Sequence, residues 1–182
     1  YIFGGGKLTV TGQDPTSLLP SSLYVSNAME IFGTTGSEAL RIDGGGNVTI
    51  GRILMFTGNG TVTGSGSSLA AGSLEVGWSN AALDVVAGGV VTSWGPTWIG
   101  INPGQSGIVT VTGNGSELRS SDTITLGITG GTGKLIIADG GKASSDQGVA
   151  GSLMRARGGD GRHALRGARF ARGLRFEILA QH

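Results

Sequence analysis

The sequence predicts an all-β fold, a right-handed parallel β-helix of about six short coils, roughly two coils to each repeat. Three observations carry this: landmarks that return at offsets near fifty residues, apolar residues alternating at period two, and a high glycine content with no three-residue period.

The landmarks come first. Thr61-Val62-Thr63-Gly64-Ser65-Gly66-Ser67-Ser68-Leu69 returns 49 residues on as Thr110-Val111-Thr112-Gly113-Asn114-Gly115-Ser116-Glu117-Leu118. Leu74-Glu75-Val76-Gly77 returns at an offset of 50 as Ile124-Thr125-Leu126-Gly127, and Leu83–Gly89 returns at 52 as Leu135–Gly141. A looser copy runs through Leu8–Gly12, Leu23–Ser26 and Leu40–Gly46 in the same order. Residues 1–153 therefore divide into repeats at about 8–60, 61–109 and 110–152. Repeats of this length are too long for one small coil, so each is assigned two.

The strands follow from alternation. Leu74 and Val76 flank Glu75, Leu83 and Val85 flank Asp84, and Ile124 and Leu126 flank Thr125. Period-two apolar positions between glycine-rich turns are half-buried strands, with the flanking residues inward and the central polar ones outward. A slip by one residue would bury the carboxylates and expose the aliphatic partners, so the register should be unambiguous. On this reading alanine at Glu75 or Asp84 is nearly silent. Strands this short are not stable alone, and stacking coil on coil supplies both the hydrogen bonds and the core. A β-propeller with one repeat per blade has an overlapping period, but no blade signature such as Trp-Asp is present.

Composition agrees. Gly is 37 of 182 residues and Pro only 4, while Val, Ile and Leu flanked by Thr keep the apolar fraction at 38%, too high for a disordered tract. There is no Cys, hence no disulfide framework and no thiolate metal site. The richest apolar stretch, Ala81–Val91, is interrupted by Asp84 and is far short of the ~20 residues a membrane helix needs. The chain opens at Tyr1 directly in a strand pattern and reads as part of a longer protein. The net charge of +1 conceals two unlike parts. Residues 1–153 carry six cations against ten carboxylates, whereas residues 154–182 carry seven Arg against Asp160 and Glu177. The repeats are thus acidic and give no footprint for nucleic acid.

The repeat pattern, on Thr61–Leu69, Leu74–Gly77, Leu83–Val90, Ile99-Gly100, Ser106–Leu118, Ile124–Gly127 and Leu135–Gly141, resembles the repeat of bacterial autotransporter (type V secretion) passenger domains. The same repeat family occurs in exosortase-sorted (PEP-CTERM) surface proteins. The likeness covers about 48–152 well and 1–47 weakly. It implies a β-helical stalk and brings no catalytic residues with it.

Residues 154–182 break the pattern. They contain no Thr, Val or Ser, and 17 of the 29 are Arg, Gly or Ala. A basic binding tail and a terminal cap are alternatives, but the segment reads best as disordered or as an out-of-frame translation of GC-rich DNA. No continuation of the sheets is expected there.

Chemistry is sparse in the repeats. A β-helical lyase or hydrolase needs carboxylates clustered with a base, whereas Glu75, Asp84, Glu117, Asp122, Asp139 and Asp146 are scattered, and 1–153 lacks His. No catalytic, cofactor or metal residue is assigned. The Thr pairs 9/11, 61/63, 110/112 and 123/125 occur about once per repeat, too seldom for an ice-binding array. Gly58-Asn59-Gly60 and Gly113-Asn114-Gly115 lack the strand–loop–helix context of a phosphate loop and the Asp of a calcium nonapeptide. Trp78, Trp94 and Trp98 either pack at coil corners or serve as surface contacts for a protein or glycan. The sequence thus points to a non-catalytic structural or adhesive segment of an exported cell-surface protein. Its parent would be held at the outer membrane by a C-terminal region, and its partners would be host or cell-surface proteins or glycans. The alternative is part of a carbohydrate-active or glycan-binding β-helix protein.

Overall fold

A computed structural model of the chain describes residues 1–12, 19–151, 154–157 and 176–179, with side chains up to residue 147. Every strand pairing is parallel, and the strands wind into a β-solenoid of about six turns.

Each coil has three faces. The first is formed by Leu8–Thr11, Glu38–Asp43, the end of Asn47–Thr63, the end of Leu74–Val86, Ser106–Thr112 and Thr132–Ala138. Register pairs link Val10, Ile42, Val62, Val85, Val111 and Ile137 into one inward column. The second face stacks Leu23, Val48, Leu69, Val91, Leu118 and Ala143, and the third stacks Met29, Ile53, Leu74, Thr97 and Ile124. Burying one Leu or Ile contributes about 1.5–3 kcal/mol, and most of these are wholly buried. That repeated term holds together strands that have no stability of their own.

The two-coil repeat is present in the fold. Val62 and Val111 share a column with Val85 between them, and Leu83 and Leu135 share one with Val109 between them. The cause lies in the links from the first face to the second. They alternate between three and four residues: Gly44–Gly46, Gly64–Ser67, Ala87–Gly89, Gly113–Ser116, then Asp139–Gly141. The short links have two successive positive φ values (57° and 89° at Gly44 and Gly45, 51° and 89° at Ala87 and Gly88), closed by bonds such as Gly89 N–H to Val86 O at 3.0 Å. This is a type I′ turn. The long links also have two positive φ values, but separated by one residue, at Gly64 and Gly66 (90° and 83°) and at Gly113 and Gly115 (90° and 81°). They close from Ser67 to Gly64 and from Ser116 to Gly113, each at 3.1 Å, with only Gly66 or Gly115 positive inside the turn, as in type II.

The final residue of each short link must be glycine for another reason. A Cβ on Gly46, Gly89 or Gly141 would strike the carbonyl oxygen of Val10, Val62 or Val111 in the preceding coil. The Gly-Gly landmark thus marks a turn and a close approach together.

Polar residues also enter the interior. Ala71, Ser93, Ser120 and Ser145 succeed one another in an inward column of the second face. The three serine hydroxyls donate to corner carbonyls: Ser93 to Gly95, Ser120 to Gly95 at 3.1 Å, and Ser145 to Asp122 at 3.0 Å.

The ladder continues beyond Leu153, which corrects the expectation that it stops there. Met154–Arg157 pairs with Thr132–Ala138, and Phe176–Leu179 pairs with Met154–Arg157. An open parallel edge offers unpaired N–H and C=O groups to any chain that can extend, whatever its side chains. The rest of the Arg/Gly/Ala-rich segment lies outside the described residues.

Candidate functional site

The outward surface of the third face carries most of the unusual side chains. There the alternation expected for Glu75 holds only in part. Leu74 and Val76 are buried inward as the pattern requires, and Leu83, Val85, Ile124 and Leu126 behave likewise. Glu75 itself points outward yet is 0% exposed. Its neighbours along the face are Leu54 in the coil before and Trp98 in the coil after. Arg52 Nε donates to Glu75 Oε1 at 2.6 Å, and Trp78 Nε1 donates to Oε2 at 2.7 Å. Both carboxylate oxygens are therefore engaged, and the hydrogen bond to Glu75 holds the Arg52 guanidinium above its ordinary value. The sequence expectation of a solvated Glu75, silent to alanine, is thereby corrected. Sheet alternation decides which way a side chain points, and bulky neighbours on the outer face then decide whether water reaches it.

Trp78 ends an aromatic ladder. Ring centroids lie 4.9 Å apart between Phe3 and Phe32, 4.2 Å between Phe32 and Phe56, and 5.6 Å between Phe56 and Trp78. Tyr1 stacks beside Phe3 at 5.5 Å. These separations bracket the ~4.8 Å rise between coils, so one ring per coil stacks naturally. Irregular register after Ile31 and after Met55 makes room for Phe56 and Trp78. Such pairs contribute about 0.5–1.5 kcal/mol each beyond area burial. With faces turned to one another, the inner rings present edges to solvent, whereas a sugar would need a face.

The three tryptophans do not converge. Trp98 is half-buried on the third face between Glu75 and Thr125. Trp94 lies at the corner between Val90–Ser93 and Thr97–Ile99 and is 55% exposed. Its place in the adjacent coils is taken by Gly72 and Ser121, as successive bonds to Ile50, Ala71 and Ser93 carbonyls show. Small neighbours on both sides leave the indole standing free of the surface.

A second group of charged residues forms a network at the start of the first face. Glu38 pairs with Lys7 and, at 3.2 Å, with Arg41, whose Nε also binds Asp43 at 2.6 Å. Burial pushes the Glu38 carboxyl up, but hydrogen bonds from Lys7, Thr61 and Arg41 together hold it below its usual value. Thr11 and then Arg41 hold Asp43 down in the same way. These contacts tie the first coils together along the axis.

The Thr pairs at 9/11, 61/63 and 110/112 do occupy equivalent outward positions, but Arg41/Asp43 and Asp84/Val86 stand between them and Ile136/Ala138 follows the last. Asp84 is half-buried between Thr61 and Thr110. Among the described residues no three His, Cys, Asp or Glu side chains are grouped for a metal ion, and no helix is long and apolar enough to cross a membrane. Sequence reasoning missed the aromatic ladder and the Arg52–Glu75 pair. The signal was there: Phe3, Phe32, Phe56 and Trp78 recur at single-coil spacing, as do Arg52 and Glu75. Neither feature recurs at the fifty-residue period. No family model, no curated protein and no solved structure matches this chain.

Proposed function

We propose that this chain is a non-catalytic structural and adhesive stalk segment of an exported bacterial cell-surface protein, of the kind its repeat resembles in autotransporter passengers. One observation carries the reading. The most deeply buried carboxylate, Glu75, has both oxygens engaged by Arg52 and Trp78, so it serves to seal the outer surface of the coils. The Lys7–Glu38 pair binds one coil to the next, and Arg41 fixes Glu38 and Asp43 within their strand. Such a surface spaces and displays, and the parent protein would supply the membrane anchor.

Contact with a host or cell-surface protein or glycan falls to the Trp94 corner, where an indole stands free between Gly72 and Ser121. This exposed aromatic also favours the second reading, a glycan-binding β-helix protein. The test is display of the chain on a bacterial surface through a β-barrel fusion, with adhesion measured on glycan arrays and cell monolayers. Adhesion lost on Trp94→Ala supports the contact. Turnover of any polysaccharide by the purified chain would overturn the non-catalytic reading.

A further inference from the structure

The chain contains the tripeptide Gly-Asn-Gly twice, as Gly58-Asn59-Gly60 followed by Thr61 and as Gly113-Asn114-Gly115 followed by Ser116. Locally the two are almost the same molecule. The fold treats them differently. Asn59 and Gly60 lie within the strand Asn47–Thr63, where Gly60 is buried, paired with Leu40 and Leu83 in the coils on either side, and packed against Met55. Asn59 N–H donates to Ser37 O at 2.8 Å, which fixes the strand further. Asn114 and Gly115 instead form the tip of a four-residue link, and both are exposed. The bond that closes this turn is donated by Ser116, so the Gly115 N–H stands outside it. The Asn114 side chain leans over Gly140 of the next coil, in space that any Cβ there would fill.

We propose that Asn114–Gly115 is a site of spontaneous succinimide formation, and that the sheet protects Asn59–Gly60 from the same reaction. The Gly115 backbone nitrogen attacks the Asn114 side-chain carbonyl carbon. A new C–N bond closes a five-membered imide, the Gly115 N–H proton is lost, and the side-chain amide leaves as ammonia. Water then opens the imide at either carbonyl, giving aspartate or its β-linked isomer. No oxidation or reduction occurs, and water is the only co-reactant. Ring closure requires the Asn ψ to swing far from its extended value. In a strand that happens only when the sheet opens locally, whereas an exposed turn tip reaches it by loop motion. Glycine at the following position adds no side chain to hinder the approach. The product places a carboxylate above Gly140, beside Asp139, and the β-linked form lengthens the backbone of the link by one carbon.

The test is incubation of the whole folded chain at mildly alkaline pH, with peptide mapping by mass spectrometry over time. Asn114 should convert more than ~10-fold faster than Asn59, since a protecting opening equilibrium of 1.4 kcal/mol already gives that factor. In denaturant the two sites should convert at similar rates. The Asn114→Gln variant, with its fold checked by circular dichroism, should lose most of the acidic species on ion exchange. Equal rates in the folded chain would overturn the proposal. So would a difference that persists in denaturant, because the local sequence rather than the fold would then be its cause.

Discussion

The buried Ser116 hydroxyl accepts a hydrogen bond from Gly88 N–H at 3.0 Å, and Ser67 does the same for Gly45 N–H at 3.0 Å. Each serine is the extra residue of a four-residue link, and each glycine is the second positive-φ residue of the three-residue link in the coil before. The two kinds of turn are therefore complementary. A type I′ turn directs one amide toward the next coil, and the serine of the type II turn receives it.

Ser116→Ala should then cost more than a surface substitution. It leaves the Gly88 amide without an acceptor, a loss of about 1–3 kcal/mol. Ser67→Ala should cost a similar amount, and Ser65→Ala, at an exposed turn tip, should be close to neutral. Urea denaturation of the three variants compares them directly.

Arg52 and Glu75 should behave asymmetrically. Arg52→Ala leaves a carboxylate of zero exposure with only the Trp78 N–H, a change of up to about 3–5 kcal/mol for a fully buried pair and less here, because Arg52 is 45% exposed. Glu75→Gln keeps an acceptor for Trp78 and should cost less than Arg52→Ala. Combining both substitutions should recover part of the Arg52→Ala loss, and a double-mutant cycle in thermal melts reads that coupling.

Thr97→Val should stabilise the protein. Thr97 lies in an inward column between Leu74 and Ile124, fully buried, and its Oγ1 has no hydrogen-bond partner. Exchanging that hydroxyl for a methyl removes a desolvation penalty of about 1–3 kcal/mol at nearly constant shape. A lowered midpoint for the valine variant would count against this account.

Acid should weaken the first coils. Glu38 and Asp43 are held below their ordinary values of 4.5 and 3.8. Each therefore contributes stability that is present above its ordinary value and is lost as pH falls through its lower folded-state value. The denaturation midpoint should drop as pH falls below about 4. Arg41→Ala removes a partner of both carboxylates, so its midpoint should depend less steeply on pH in that range.

Much of this architecture was legible because one-residue alternation and two-coil recurrence both have simple physical causes. Val62 and Val111 carry the same side chain because they occupy the same column above the same kind of turn. What lay hidden were features repeating at one coil, where Asn80–Val86 and Ser106–Thr112 pair residue by residue with little identity. Arg52 and Glu75 meet across one such step, as do Phe32 and Phe56. The variable coil length, which takes the first-face column from Val10 to Ile42 to Val62 in unequal strides, blurs that shorter period. The strands at Met154–Arg157 and Phe176–Leu179 were hidden for a different reason, since backbone edges pair without asking for Val or Thr.

The alternation of turns also constrains how such a gene could change in length. Unequal recombination that removed one coil, such as residues 63–85, would set two type I′ turns in adjacent coils and take away the serine that receives Gly45 N–H. Removal of 61–109 instead joins like to like, with Gly45 meeting Ser116 as it met Ser67. The heritable increment is a pair of coils, so a lineage of such proteins should differ in length by even numbers of them. Melting curves of the two deletions would show it, with the pair deletion retaining one cooperative transition and the single-coil deletion losing it.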